Sequence, residues 1–377
     1  MLSKVAFKNL RCFKDFTLDG MKPLTLISGR NNVGKTTLLE GIFLLSAYKS
    51  PDLFFKVNSI RGIQTVTSSP QGFLVGLEPQ SLWETLFSDM DMTLKLLIST
   101  EDDKTGTSTV CLEKDASISL AQFSSQQPPF LGQQVPPNIT QQLPQALLQP
   151  VPGSYILKVS YEHNDSQEQG RFALTQNGLA LQLTSAPSHP RPPFTIYIGP
   201  NTPSAQHPVA DWFGTVEINA QKSLIIDALR LLDGGITDIF SVPKHGIVEL
   251  YARWDTEKPR PIRTLGDGIN KLLSYLLAMV ANPGGVFLLD EIETGFHYSF
   301  YSLLWELVAS VAQKTGSQII ATTHSYECIA AATEGTTRID PSLLAYVRLG
   351  EENGTIIPYI FPEDDLAFAL KSEMEVR

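Results

Sequence analysis

One short segment near the start of the chain fits the pattern G-x-x-x-x-G-K-[ST] without a mismatch: Gly29-Arg30-Asn31-Asn32-Val33-Gly34-Lys35-Thr36-Thr37. An apolar run, Leu24–Ser28, precedes it, and a leucine-rich stretch, Thr36–Ala47, follows it. The segment therefore has the strand before it and the helix after it that a phosphate-binding loop requires. Glycines let such a loop turn tightly, so that backbone N–H groups point at an anion beside the positive end of the helix dipole. A chain with this unit is predicted to fold as an α/β protein.

Two side chains of this loop carry distinct chemistry. Lys35 can reach the β- and γ-phosphates of a nucleoside triphosphate, and the hydroxyl of Thr36 can bind Mg²⁺. The residues predicted to bind the nucleotide are Gly29, Asn31, Asn32, Val33, Gly34, Lys35, Thr36 and Thr37.

A second group of candidate residues lies far along the chain, where the apolar run Val286–Leu289 ends in Asp290 and Glu291. In open α/β sheets, ligands gather at the carboxyl ends of the strands. We predict that Asp290 binds Mg²⁺, directly or through water, together with Thr36. Glu291 is predicted to orient and polarise the water that attacks the γ-phosphate.

A histidine follows the next apolar strand, Ile319–Thr322. His324 is placed where a side chain could sense a γ-phosphate or hold the attacking water, and we predict a catalytic role for it. The alternative is that it is an ordinary surface or core histidine.

A glycine-rich segment opens the helical stretch that precedes Val286: Leu265, Gly266, Asp267 and Gly268. Such a helix start is a second anion site. Because the chain already has one phosphate-binding loop, the expected ligand of this second site is the nucleotide of another subunit.

From residue 194 onward, strand-like apolar runs alternate with amphipathic helical stretches. This alternation is typical of a mostly parallel sheet covered by helices on both faces. The predicted fold is a P-loop NTPase with a mixed or parallel central sheet flanked by helices. The helical stretches are Gln221–Leu232, Ile269–Val280 and Leu303–Val311.

The middle of the chain has a different pattern, with strand-like runs that favour an antiparallel β subdomain. We therefore predict a split ATPase head over residues 1–50 and 190–377, and a β-rich insertion over residues 51–189. The strand-like runs are Thr93–Ile98, Thr109–Glu113, Ser154–Tyr161 and Arg171–Leu183.

Within the insertion, residues 122–152 contain nine Gln, seven Pro and no charged residue. Such a segment buries little, and its prolines oppose both helix and sheet, so a flexible loop or extended linker is predicted. A tolerated surface insertion and a partner-docking arm of polyproline type are both open interpretations.

The composition limits the class of protein. The 377 residues can bury a sizeable core without disulfides or metals as staples. The three cysteines form no CxxC pair, which argues against a structural zinc site. The net charge of −10 disfavours a small basic nucleic-acid module. No signal peptide and no run of apolar residues long enough to span a membrane is found, so we expect a cytoplasmic protein.

Taken in chain order, these motifs resemble those of ABC-type ATPases, and more narrowly the RecF/Rad50/SMC-like branch. The start of the chain, Phe7–Phe13, and the segment Asn31–Glu40 look most like the short bacterial AAA15 or OLD-type ATPases. The resemblance implies an ATPase that uses ATP and Mg²⁺ and forms a homodimer, with each nucleotide held between the P-loop of one subunit and the signature helix of the other. By the same analogy Arg11 lies near the nucleotide, although a surface arginine is an alternative.

The sequence also departs from that family pattern. The signature serine is replaced by Gly266, so only backbone N–H donors remain there, and slow hydrolysis is expected. His297 is followed by Tyr298 where the family usually has a proline. The nearest candidates for a Q-loop glutamine are Gln64 and Gln71.

Two classes of function remain open for such an ATPase. The first is a molecular switch that acts with DNA or a separate nuclease or toxin, in anti-phage defence or DNA repair, without a membrane partner. The residues after 335 lack the acidic cluster of an attached Toprim nuclease, which favours a separate effector. The alternatives are the ATPase subunit of a membrane transporter and a slow or degenerate ATP-binding scaffold.

Overall fold

The computed structural model describes residues 1–46, 53, 56–58, 61, 67–69, 72–74, 81–118, 130–131, 155–164, 166–175, 178–183, 194–200, 209–244, 247–255, 258–362, 365–366 and 369–370. The chain divides into two compact units. The first contains Met1–Met21, Asn31–Pro192 and Leu349–Pro358, and the second contains Lys22–Arg30, Pro193–Arg348 and Tyr359–Arg377.

Within these described ranges, strands dominate the first half of the chain, and strands and helices are mixed in the second. The strands are β1 (Leu2–Leu10), β2 (Phe13–Leu18), β3 (Leu24–Gly29), β4 (Thr67–Ser69), β5 (Gly72–Leu74), β6 (Leu96–Asp102), β7 (Gly106–Lys114), β8 (Phe130–Leu131), β9 (Ile156–His163), β10 (Ser166–Thr175), β11 (Gly178–Leu183), β12 (Thr195–Ile198), β13 (Ile236–Lys244), β14 (Ile247–Trp254), β15 (Arg260–Pro261), β16 (Val286–Leu289), β17 (Gln318–Thr322), β18 (Leu344–Glu352) and β19 (Thr355–Phe361). The helices are α1 (Lys35–Leu45), α2 (Ser81–Glu84), α3 (Val209–Ile218), α4 (Lys222–Arg230), α5 (Asp267–Ala281), α6 (Tyr301–Thr315) and α7 (Tyr326–Thr337).

The first unit is built on an antiparallel sheet of eight strands in the order β2-β1-β6-β7-β9-β10-β11-β8. Helix α1 packs on this sheet so closely that a Cβ at Gly41 would lie 2.7 Å from a ring carbon of Phe7. Next to this contact, the rings of Phe7 and Phe13 stack with centroids 5.6 Å apart. Apolar side chains that alternate along β1 and β2 therefore form the floor on which α1 rests.

A six-stranded sheet has the order β12-β16-β17-β3-β18-β19, and its strands β12, β16, β17 and β3 belong to the second unit. Strands β12, β16, β17 and β3 run parallel to one another. Strands β3, β16 and β17 are buried along their whole length, as expected for parallel strands with helices on both faces. Their apolar side chains join those of α3–α7 in one large hydrophobic core.

A three-stranded antiparallel sheet, β13-β14-β15, precedes α5 in the second unit. The hairpin of β13 and β14 was not expected from the sequence. One face of it is buried at Ile239 and Ala252, and the other carries the stacked rings of Phe240 and Tyr251.

The fold class predicted from the sequence is confirmed: helices flank a sheet with a parallel centre, and an antiparallel β subdomain is present. Two details differ. Arg171–Leu183, predicted as one run, is divided between β10 and β11, which pair as a hairpin. In the Gln/Pro-rich segment 122–152, Phe130–Leu131 pairs with β11 rather than forming a loop, and the rest of that segment lies outside the described residues.

None of the helices in the described part of the chain combines the length and the hydropathy needed to cross a lipid bilayer. The predicted Q-loop candidates Gln64 and Gln71 lie outside the described residues. The predicted limits of the ATPase head and of its insertion stay a prediction.

Helices α6 and α7 meet at Gly335, where a Cβ would collide with the carbonyl oxygen of Ser302 and lie 2.9 Å from the Cβ of Trp305. We predict that Gly335→Ala lowers the free energy of unfolding by about 1–3 kcal/mol, because the two helices must separate. Gly214→Ala is the matched control, since a Cβ at Gly214 of α3 would have no described residue within 4 Å. This control should gain up to about 1 kcal/mol from helix propensity. Urea unfolding of both variants measures the difference, and equal effects would contradict the packing argument.

Candidate nucleotide-binding and hydrolysis site

The predicted phosphate-binding loop begins where β3 ends and leads directly into α1. Gly29, the last residue of β3, and Gly34, which precedes α1, have φ angles of 138° and 93°. A side chain at Gly34 is excluded twice: its backbone is left-handed, and a Cβ would lie 2.8 Å from Phe13 and 2.9 Å from the Cys12 thiol. The loop therefore requires glycine at both of its ends.

The remaining predicted loop residues occupy the turn and the first turn of α1. Asn31 and Asn32 are exposed and Val33 is buried, and Asn32 has a left-handed φ of 66°. Lys35 begins α1 and is 5% exposed, and Thr36 and Thr37 follow it. Among the described residues, no side chain caps α1, and the first turn of the helix contains no acidic residue of its own that would oppose an anion.

Arg11 lies in the turn between β1 and β2 with a left-handed φ of 49°, and its side chain reaches α1. Its Nη1 is 3.1 Å from Oε2 of Glu40, a carboxylate with no exposed surface. Burial lowers the pKa of Arg11, and the charge of Glu40 opposes that shift. The Nε and Nη2 groups of Arg11 are buried without a hydrogen-bond partner in the described part of the chain.

A second arginine joins this cluster. The Nε of Arg61 donates to Glu40 over 2.8 Å, and its Nη2 donates to the hydroxyl of Thr37, also over 2.8 Å. Glu40 thus binds two guanidinium groups from distant parts of the chain and fixes both against the helix that follows the loop. Neither residue was predicted as part of the site: Glu40 was noted only as the end of the segment Asn31–Glu40, and no motif marks Arg61.

In the second unit, Asp290 follows β16 and is 5% exposed. Its two carboxylate oxygens accept hydrogen bonds from different hydroxyl groups. Tyr197 on β12 donates to Oδ2 over 2.8 Å, and Thr322 at the end of β17 donates to Oδ1 over 2.5 Å. A buried carboxylate needs such donors because burial without them is costly. Neither Tyr197 nor Thr322 was predicted from the sequence as a site residue.

Glu291 and His324, the two predicted catalytic residues, are brought together in the same unit. The Nε2 of His324 lies 3.9 Å from Oε1 of Glu291, close enough for electrostatic interaction but too far for a direct hydrogen bond. Glu291 has a left-handed φ of 49°, which is uncommon for a residue other than glycine. Its backbone N–H donates to the hydroxyl of Thr322 over 2.9 Å, which holds the turn.

Two more charged groups lie beside these acids. Glu293 accepts a hydrogen bond from the backbone N–H of His324 over 2.9 Å, so it fixes the backbone at His324. The amino group of Lys271 on α5 is buried without a hydrogen-bond partner among the described residues. Burial lowers the pKa of Lys271, and the charges of Glu291 and Glu293 oppose the shift. A positive charge thus balances the acids at the end of β16.

The predicted signature residues form the start of α5. Gly266 precedes the helix. Within the described ranges no side chain caps the helix, and a Cβ at Gly266 would have no neighbour within 4 Å. The side chain of Asn270 donates to the carbonyl oxygen of Leu265 over 2.8 Å, which fixes the turn. A Cβ at Gly268 would lie 3.0 Å from the carbonyl oxygen of Gly295, so this helix start packs on the segment that follows Glu293.

Two family models match parts of this chain. Residues 1–110 match the model described as "AAA ATPase domain". Residues 250–330 match the model described as "AAA domain, putative AbiEii toxin, Type IV TA system". The first match includes the phosphate-binding loop and the second includes Asp290, Glu291 and His324.

Individual proteins resemble the chain over longer or shorter stretches. The ATP/GTP phosphatase of Helicobacter pylori is 23% identical over 339 residues, which are 87% of this chain and 86% of that protein. The DNA replication and repair protein RecF of Hahella chejuensis is 37% identical over 62 residues, 16% of each chain. The organic anion transporter ABCA8B of Mus musculus is 30% identical over 64 residues, 17% of this chain and 4% of the transporter.

Among solved structures, an SMC head bound to the C-terminal winged-helix domain of ScpA aligns with a TM-score of 0.48 at 10% identity, covering 99% of both chains. The SMC head domain from Thermotoga maritima aligns with a TM-score of 0.39 at 12% identity, covering 96% of this chain and 99% of the other. Likenesses at this level support no inference about function.

The family matches and the motifs together support an ATPase. Residues 1–110 and 250–330 are similar to AAA-type ATPase domains, and most of the chain is similar to an ATP/GTP phosphatase.

The ion pair at Glu40 gives a test of the first unit. Glu40→Gln leaves the guanidinium group of Arg11 buried without its counter-charge, so we expect the free energy of unfolding to fall by about 3 kcal/mol. Glu334→Gln is the matched control: Glu334 also pairs with an arginine, Arg338, but both side chains are exposed. Its effect should stay within about 1 kcal/mol. Denaturant unfolding separates the two, and similar losses in both variants would argue against a buried pair at Glu40.

Proposed function

We propose that this ATPase is a molecular switch that closes as a homodimer on ATP and Mg²⁺ and controls a separate effector, a nuclease or toxin, or DNA itself. Anti-phage defence and DNA repair are the settings in which such a switch would act. The observation that carries the proposal is the joint placement of Asp290, Glu291 and His324 at the ends of two adjacent parallel strands.

The hydrolysis step follows from the roles of these three side chains. Asp290 and the hydroxyl of Thr36 would hold Mg²⁺, which neutralises charge on the phosphates when it is bound. Glu291 would accept a hydrogen bond from the attacking water and align it with the γ-phosphate. His324, at 3.9 Å from Glu291, would hold the same water or the γ-phosphate oxygen. The hydrogen bond from the backbone N–H of His324 to the carboxylate of Glu293 keeps His324 in place for this role.

The donor set fits the metal. Among the described residues, no group of three or more His, Cys, Asp or Glu side chains could hold a metal ion. Mg²⁺ usually binds through one or two carboxylates together with substrate phosphates. One buried carboxylate, Asp290, and one hydroxyl, that of Thr36, are the kind of donors it prefers.

The phosphates would be bound by the loop Gly29–Thr36, with Thr37 beside it. Lys35 supplies a positive charge at the start of α1, and the loop supplies backbone N–H groups. The two buried N–H groups of Arg11 that have no partner among the described residues support a contact with the nucleotide. Arg11 would reach it from the turn after β1.

A dimer is supported by the start of α5. This helix start is formed by Leu265, Gly266, Asp267 and Gly268. In the part of the chain that the structure describes, no side chain caps it and a Cβ at Gly266 would have no neighbour within 4 Å. This surface would receive the nucleotide of a second subunit. Because Gly266 offers only a backbone N–H where the wider family has a serine hydroxyl, we expect slow hydrolysis and a long-lived closed state.

The output of the switch is supported by the comparisons. One matching family model is described by a toxin of a type IV toxin–antitoxin system, and one partial relative is a DNA replication and repair protein. A transporter subunit is the second candidate, and the match to ABCA8B favours it only over a short segment. A degenerate ATP-binding scaffold is the third candidate, and the replacement of the signature serine by Gly266 is the observation that favours it.

Removing the lysine of the loop tests nucleotide binding. Lys35→Ala should reduce ATP affinity below detection in isothermal titration calorimetry, because the phosphates lose their point charge. Lys314→Ala, an exposed lysine at the end of α6, is the control and should bind ATP as the wild type does. Retained affinity in Lys35→Ala would refute the assignment of the loop.

Removing the catalytic carboxylate tests the switch. Glu291→Gln should retain ATP binding, abolish hydrolysis and accumulate an ATP-bound dimer, seen by light scattering as a doubled mass. Glu351→Gln, an exposed glutamate on β18, is the control and should hydrolyse ATP and return to monomer. A Glu291→Gln protein that stays monomeric with bound ATP would contradict the dimer, and unchanged hydrolysis would contradict the role of Glu291. Copurification with this trapped variant then identifies the effector, and capture of a permease would favour the transporter alternative.

A further inference from the structure

The carboxylate of Asp290 accepts hydrogen bonds from two hydroxyl groups, neither of which belongs to a recognised nucleotide-binding motif. Tyr197 donates to Oδ2 over 2.8 Å and Thr322 donates to Oδ1 over 2.5 Å. Tyr197, Asp290 and Thr322 are 6%, 5% and 0% exposed, respectively. The hydrogen bonds are therefore shielded from competing water and are directional.

The register of the sheet explains how Tyr197 reaches this position. Strand β12 pairs in parallel with β16, so Ile198 lies opposite Leu289, the residue before Asp290. The backbone N–H of Asp290 continues this pairing by donating to the carbonyl oxygen of Ile198 over 2.9 Å. Asp290 is thus bound to β12 twice, once through its backbone and once through the hydroxyl of Tyr197.

The two hydroxyl donors, one from each side, restrict rotation of the carboxylate about its side-chain bonds. A carboxylate oxygen can accept a hydrogen bond and still coordinate a cation through its other lone pair. The pair of hydroxyl groups therefore fixes the plane of the carboxylate and with it the direction in which the oxygens face a ligand. Partners of this kind are needed to orient a metal-binding side chain.

We propose that Tyr197 is a positioning residue for the metal: its hydroxyl orients the carboxylate of Asp290 so that the carboxylate binds Mg²⁺ together with the nucleotide. The inference rests on the proposed role of Asp290 as the metal ligand. It adds β12, a strand without a recognised nucleotide-binding motif, to the functional site.

The test uses the full chain as wild type, Tyr197→Phe, Asp290→Asn and Tyr275→Phe. Manganese, which is visible by electron paramagnetic resonance, replaces Mg²⁺ as the probe, and its affinity is measured with a saturating non-hydrolysable ATP analogue. Affinity for the analogue itself is measured separately in EDTA. Tyr275→Phe is the matched control, because Tyr275 is also buried and its hydroxyl has no partner among the described residues.

Tyr197→Phe is expected to weaken Mn²⁺ binding by about tenfold, the size of effect that loss of an orienting partner has on metal affinity. Its affinity for the analogue in EDTA should equal that of the wild type, which a general structural defect would not preserve. Tyr275→Phe should match the wild type in both measurements.

The outcomes separate the inference from the function on which it rests. If Asp290→Asn binds Mn²⁺ as the wild type does, the assignment of Asp290 as metal ligand fails. If Asp290→Asn loses Mn²⁺ while Tyr197→Phe keeps the wild-type affinity, the proposed function stands and the role of Tyr197 is overturned. An equal loss in Tyr275→Phe, or a loss of analogue binding in EDTA by Tyr197→Phe, also overturns that role.

Discussion

The parallel register of β12, β16, β17 and β3 is the constraint on which the catalytic half of the site depends. Leu289 lies opposite both Ile198 and Ala321, and Thr322 lies opposite Ile27. Because parallel strands end at a common edge, the polar residues that follow the apolar runs emerge side by side. Asp290, Glu291 and Thr322 meet for this reason, although long stretches of chain separate the strands. A shift by one residue in any of these pairings would turn the side chains to the opposite face.

Hydrogen bonds then convert this placement into a fixed geometry. Thr322 is the central residue, since its hydroxyl donates to Asp290 and accepts from the backbone of Glu291. Glu293 performs a similar task for the turn that carries His324. The groups expected to act on phosphate and water are therefore supported by neighbours that do not themselves need to touch a ligand. In the first unit Glu40 has the same supporting role for Arg11 and Arg61.

The sequence predicted the elements whose residues follow a strong local pattern. Strands β16 and β17 are short runs of apolar residues that are buried on both faces, and such runs can be found in the sequence. The loop Gly29–Thr36 was found because it fits the spacing G-x-x-x-x-G-K-[ST]. Strands β13 and β14 were missed because their apolar residues do not follow a simple alternation. The division of Arg171–Leu183 between β10 and β11 was missed, although Asn177-Gly178 in the middle of that run is a typical hairpin signal.

The residues of the candidate site that belong to sequence motifs were predicted, and those outside motifs were not. Asp290, Glu291 and His324 follow apolar strands and could be found by that position, whereas Tyr197 lies within a strand as an ordinary aromatic residue. Its partner is 93 residues away, and only the pairing of β12 with β16 makes the contact visible. Arg61 and Glu40 were missed for a related reason, because a buried ion pair between distant segments leaves no periodic signal. Residues that support a site are therefore harder to predict than residues that act in it.

The close approach of α6 and α7 has an evolutionary consequence. At Gly335 even a methyl group would collide with the backbone of the neighbouring helix. Descendants of this sequence that keep the two helices at this spacing must keep glycine at that position. A glycine at the corresponding place in other members of the class would thus report that the same helix pairing has been inherited, even where little else in the two sequences can be aligned.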